Sequence, residues 1–136
     1  MYKDFIHKTP IQIRFKDVDK QGHVNNANHI TYLETGRTNF FADVLGRDVD
    51  WDETGILLVR TEIDYKDLIF LEDEVCVYTK VTKLGTKSFE MSNYILKMNK
   101  GETIECAFGK STFVCFNYHT RNSIPIPETW REKLVR

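Results

Sequence analysis

The sequence contains no apolar run long enough to cross a bilayer, and its first residues, MYKDFIHKTP, lack the apolar core of a signal peptide. A cytoplasmic protein is therefore expected. Neither sign of charge is in excess. Lys and Arg number 19 against 20 Asp and Glu, so a net charge of -1 gives no overall pull toward nucleic acid or an anionic membrane. Cysteine is scarce: Cys76, Cys106 and Cys115 are odd in number, lack the close pairs of a zinc site and lie in strand-like runs, which predicts buried free thiols. With only 3 Pro and 7 Gly the composition is not that of a disordered or fibrous chain.

What remains is a chain of 136 residues, enough for one core and too few for two. Alternation from Thr9 to Phe15 places Ile11, Ile13 and Phe15 on one side of a first strand. From Ala27 to Leu45, Ile30, Leu33, Phe40, Phe41, Val44 and Leu45 fall at helical spacing, with Asn25 or Asn26 as N-cap and Gly46 as the stop. Gly36 inside this helix costs about 1 kcal/mol relative to Ala, which predicts close contact with a sheet there. Four strands follow, over Leu57–Tyr65, Glu74–Lys83, Lys87–Met98 and Glu102–Tyr118, the last bent by a bulge at Gly109. Pro127 and Glu128 open a short closing helix. The order predicts an α+β fold, an antiparallel sheet of about five strands wrapped around one long helix. Such a sheet leaves an edge unpaired, which predicts self-association into a two-fold dimer with sites at the seam.

Between the first strand and the helix runs FKDVDKQGHVNNANHITYLETGR, from Phe15 to Arg37. Its Asp, Gly and Asn residues favour tight turns and left-handed backbone, and they lead straight into the helix N-terminus, where free amides stabilise negative charge. Backbone N–H groups near Asn25 and Asn26 suit an oxyanion developing on a substrate carbonyl, a contribution of about 10²- to 10³-fold in rate per donor. Asp19 supplies a carboxylate that attacks directly or activates water, and His23 is a second acid-base group. The same residues also serve elsewhere as turn formers and caps. Glu34 either pairs with Arg37 or turns a carboxylate into the site.

The string DVDKQGHVNNANHITYLETGR resembles the loop and helix start of the hot-dog fold acyl-CoA thioesterases of the 4-hydroxybenzoyl-CoA thioesterase-like group, in the branch reading D-x-D-x-x-G-H-V-N-N followed by Tyr and Glu-x-x-Arg. Lys87-Ser88-Phe89 extends the similarity. The resemblance implies that Asp19 is the catalytic carboxylate and that the Asn26 amide polarises the substrate carbonyl. Asp17, Asn25, Tyr32 and Glu34 would support or bind substrate, with Lys87 and Ser88 near the coenzyme A phosphates. It further implies a dimer or dimer of dimers, an acyl-CoA substrate reaching the site along the subunit seam, and no metal or redox cofactor. Relatives often carry Tyr near His29, a departure that bears on pocket shape. Two rival readings use the same residues. A hot-dog hydratase or dehydratase would pair His23 with Glu34, but those relatives carry a Pro-rich run after the His, and no Pro occurs between Pro10 and Pro125. A non-catalytic acyl-CoA-binding module would bind without turnover and has no need of Asp19.

Overall fold

A computed structural model describes residues 1–135. Its elements run β1 (His7–Ile11), α1 (Asn26–Leu45), β2 (Gly55–Tyr65), β3 (Glu74–Leu84), β4 (Ser88–Asn99), β5 (Glu102–Asn117), β6 (Asn122–Ser123) and α2 (Glu128–Leu134), with short 3-10 turns at Tyr2–Asp4 and Phe15–Asp17. All the strand pairs are antiparallel, in the order β1-β3-β4-β5-β2, with β6 against β5. This is the hot-dog plan expected from the sequence: one long helix held by a curved antiparallel sheet.

The alternation of β3 shows why the sheet holds a helix. Val75, Val77, Thr79 and Val81 are buried on one face while their neighbours are more open. Central β4 is buried on both faces over Met91–Asn93 and Ile95–Lys97. Two apolar clusters result. Phe40, Phe41, Phe89, Met91, Phe113 and Trp130 fill one end, while Val24, Leu33, Ile69, Val77, Ile95 and Ala107 fill the end nearer the loop.

Gly36 does what the sequence predicts. A Cβ added there would lie 2.5 Å from Val77 Cγ1, so α1 rests directly on β3. The helix ends at Gly46, with φ of 91°. Three expectations need correction. β1 stops at Ile11, and Phe15, expected on its inner side, is 85% exposed, because the Asp17 carboxylate accepts the Arg14 N–H and curls the chain into a 3-10 turn. Pro127 stands at the N-cap of α2 and not inside it. The bulge in β5 is at Cys106, where Glu105 pairs with Leu96 and Ala107 with Ile95, while Gly109 stays in register opposite Asn93 and Ile63. Gly109 instead makes room for Leu33 of α1, whose Cδ1 would be 2.9 Å from an added Cβ.

The two free sheet edges differ. β1 carries Pro10, which has no N–H to offer another strand. β2 has no Pro, and its Leu57, Leu58 and Val59 are exposed by 38%, 40% and 51%. Cys106 and Cys115 are buried free thiols, pushed up by burial to about 12 and about 11, whereas Cys76 is half-buried.

Candidate active site

The loop between β1 and α1 is anchored from within by Asp17, which is 1% exposed. Its Oδ2 accepts the Arg14 N–H at 3.0 Å and the Tyr32 hydroxyl at 2.8 Å, and its Oδ1 accepts from Arg14 Nη2 at 3.0 Å. Its carbonyl accepts the Asn25 N–H and the Asn28 amide. Burial raises the Asp17 carboxyl, but the hydrogen bonds from the Arg14 backbone, Tyr32 and the Arg14 side chain prevail and hold it below the ordinary range. Burial, and then the Asp17 bond, push the Tyr32 hydroxyl well above its usual value. Asp17 and Tyr32, expected to support the site or bind substrate, form a buried clamp between loop and helix in which their polar atoms satisfy each other.

Asp19 stands at the turn that the clamp supports. Its N–H donates to the His23 carbonyl, its own carbonyl accepts from Gly22, and its Oδ1 accepts the Gln21 N–H at 3.0 Å. Its Oδ2 lies 3.5 Å from the Asn25 side-chain amide. Asn25 is the N-cap, its Oδ1 accepting the Ala27 N–H at 2.9 Å. Asn26 is the first residue of α1, and its N–H has no acceptor among the described residues. That leaves one donor without a protein acceptor at the positive end of a 20-residue helix.

Beside it lies a cleft of ≈ 270 Å³ lined by His23, Val24, Asn26, His29, Tyr65, Lys66, Asp67 and Leu68. The far wall, the chain after β2, is tied down at three points. The carbonyl of the bulge residue Cys106 accepts the N–H groups of Lys66 and Asp67, and Ile69 O accepts the Val24 N–H at 2.8 Å. Lys97, 5% exposed on β4, donates to Leu68 O at 2.5 Å, with the Asp73 carboxylate 3.6 Å away and the Phe70 ring below it. Across the cleft the Tyr65 hydroxyl donates to Asn26 O at 3.4 Å.

The fold brings together Asn26 and His23 in the cleft, and Asp19 and Asn25 in the adjoining loop. It does not bring Glu34 there. Glu34 lies two helical turns beyond Asn26, its side chain 67% exposed and 3.8 Å from Arg37, in a groove with Thr9, Pro10 and Thr38. Lys87 and Ser88 sit at the other end of the sheet. Ser88 pairs with Val114, whereas Ile95, paired with Ala107, lies toward the cleft, and at about 3.3 Å per residue Ser88 and Ile95 are roughly 23 Å apart along β4. Sequence reasoning did not single out Tyr65 or Lys97, and tied His29 only to pocket shape. His29 is 3% exposed although it stands on the first turn of a helix. Lys97 carried a signal, as the one charge in the run Met91–Met98.

The sequence model of the thioesterase-like superfamily matches residues 13–134. The long-chain acyl-CoA thioesterase FadM of Escherichia coli (strain K12) is 26% identical over 130 residues, covering 93% of this chain and 96% of its own. A thioesterase of Thermus thermophilus, solved with coenzyme A and Zn, is 33% identical with a TM-score of 0.81, over 96% of this chain and 98% of that one. A 4-hydroxybenzoyl CoA thioesterase solved with 4-hydroxybenzoyl CoA shares the fold at a TM-score of 0.85 and 15% identity, over 93% and 96% of the two chains. With its family match running through loop, helix and sheet to the end of α2, the chain belongs to the thioesterase-like superfamily.

Proposed function

We propose that the protein hydrolyses acyl-coenzyme A thioesters to free acid and coenzyme A. The observation that carries this reading is the Asn26 N–H at the start of α1, without an acceptor among the described residues, on a residue that lines a cleft next to the Asp19 loop. A thioester carbonyl placed there gains a donor where negative charge develops on its oxygen. Asp19 supplies the carboxylate that attacks the carbonyl or activates water. The thiolate leaves readily, so the reaction asks for neither a metal nor a redox cofactor. The similarity to a long-chain acyl-CoA thioesterase and to a coenzyme A complex supports the substrate class.

The working unit is a homodimer, or a dimer of dimers, in the cytoplasm, formed through β2. Pro10 blocks the β1 edge, while β2 offers open backbone and three exposed apolar side chains, features that favour antiparallel pairing with a second copy. No described helix is long and apolar enough to cross a membrane. Lys87 and Ser88, remote from Asp19 within one protomer, then serve coenzyme A binding.

The reading is tested by thiol release from short, long and aromatic acyl-CoAs with the native protein and with Asp19→Asn. That substitution keeps shape and turn-forming ability but removes the charge. Turnover is expected to fall by at least ~10²-fold with folding and acyl-CoA binding retained. Binding without turnover by the native protein would favour the acyl-CoA-binding module instead, and unchanged turnover in Asp19→Asn would remove Asp19 from the chemistry.

A further inference from the structure

His29 is a titratable group in the cleft that the reaction described so far leaves unused. It is one helical turn beyond Asn26 and so on the same side of α1, about 4.5 Å further along the axis. Its ring packs edge-on against Tyr65, with centroids 5.1 Å apart, and tilted against Tyr32 at 6.3 Å. Nδ1 lies 3.3 Å from the Asn25 carbonyl. A carbonyl only accepts, so Nδ1 carries the proton and Nε2 holds the lone pair. Among the described residues Nε2 has no partner, yet it is absent from the side-chain atoms sealed away without one. It therefore opens on the cleft that His29 lines. An imidazole fixed in one tautomer by a backbone carbonyl, with its other nitrogen free beside an oxyanion donor, has the geometry of a general base.

We propose that His29 is a catalytic residue, the base that takes the proton of the hydrolytic water. The proposal rests on the thioesterase reading above and divides the labour within it. Asp19 keeps the first of its two alternatives. Its carboxylate oxygen bonds to the thioester carbonyl carbon, the C–S bond breaks, and coenzyme A leaves as the thiolate and is protonated by solvent. In the second step water bonds to the acyl carbon and its proton moves to His29 Nε2. The bond from acyl carbon to Asp19 oxygen breaks, and Asp19 leaves as carboxylate. The imidazolium then releases the proton to solvent, so one thioester and one water give one acid and one thiol.

Several surroundings keep the base neutral and ready. Burial lowers the basicity of His29, the Asn25 carbonyl partly offsets this, and a charge on His23 lowers it further. The other ionisable groups around the cleft are Tyr65, Lys66 and Asp67, with Tyr32 behind the ring. The acid limb of kcat should accordingly lie below the ordinary histidine value of 6.5.

The experiment is rapid-mix thiol release from an acyl-CoA turned over by the native protein, compared with His29→Gln, which keeps a donor for the Asn25 carbonyl, and with His29→Ala. The expected result in both variants is a burst of about one thiol per site, then steady turnover slowed by at least ~10²-fold, with an acyl adduct seen by intact-protein mass spectrometry. Added imidazole should restore turnover in His29→Ala, and the acid limb should vanish from both variants. Near-native turnover would overturn the proposal, as would slow turnover with neither burst nor adduct, or failure of imidazole to rescue a folded His29→Ala. Failure of the native protein to release thiol from any acyl-CoA would instead defeat the thioesterase reading itself.

Discussion

The clamp under the loop before α1 gives a sharp quantitative test, because Tyr32→Phe removes one hydroxyl from a buried ionised acceptor and changes little else. Tyr32 is 3% exposed and its hydroxyl is 2.8 Å from Asp17 Oδ2. Hydrogen bonds to charged groups contribute about 1.5–3 kcal/mol, and Asp17 keeps both donors from Arg14 after the substitution, so a loss of about 2 kcal/mol is expected. At about 2.1 cal/mol/K per residue the unfolding entropy is about 0.29 kcal/mol/K, which turns that loss into a fall in Tm of about 7 °C. The pH dependence fixes the cause. Asp17 is held below its ordinary value of 3.8, so its stabilisation is complete above 3.8 and is lost as pH falls from there through the folded value. Tyr32→Phe removes one of the bonds that lower it and brings the folded value back toward 3.8. The difference between the two proteins should therefore be full at pH 7 and shrink below about pH 3.8. Urea unfolding at fixed protomer concentration measures it, with m unchanged. A loss under about 0.5 kcal/mol, or a difference that persists in acid, would refute the clamp. A rise in KM with unchanged stability would return Tyr32 to the substrate.

Three further outcomes follow from the geometry. Lys87→Ala should raise KM, more so at low salt, with kcat nearly kept, as steady-state kinetics at two ionic strengths will report. Gly36→Ala should lower Tm: the helix gains about 1 kcal/mol of propensity, but a methyl 2.5 Å from Val77 Cγ1 costs about 1–3 kcal/mol of overpacking. Val59→Lys should convert the assembly to a smaller species by light scattering while leaving circular dichroism native, since Val59 is 51% exposed in the protomer and lies at the bulge of the β2 edge.

Much of this was legible in the sequence for physical reasons that can be named. The helix and β3 announce themselves by period, and Gly36 by its cost in a helix. The loop shows itself through residues that have few other uses in such density. What the sequence hid was orientation. The alternation of Ile11, Ile13 and Phe15 was real as a pattern, but one hydrogen bond from Arg14 N to Asp17 outweighed it and turned Phe15 to solvent. Asp17 and Asp19 look equivalent as neighbours in D-x-D, yet one is sealed and the other half-buried at a turn. The Cys106 bulge has no glycine to mark it. His29 hid because a helix position reads as surface unless the strand packed over it is known, and that strand begins only at Gly55 and ends in Tyr65.

That bulge reaches beyond the sheet. The Cys106 carbonyl fixes where the chain leaves β2, and with it the Lys66–Leu68 wall of the cleft, whereas the Asn26 amide is fixed by the helix. The two sides of the cleft therefore hang from separate supports, one tuned by β5 and the other by the Asp17 clamp. In evolutionary terms the site is modular: under the proposed reaction, changes at Leu68 and its neighbours would alter which acyl groups fit, while the Asn26 donor would stay where it is. A library confined to the wall should thus yield enzymes that diverge in preference and share a rate-limiting chemistry.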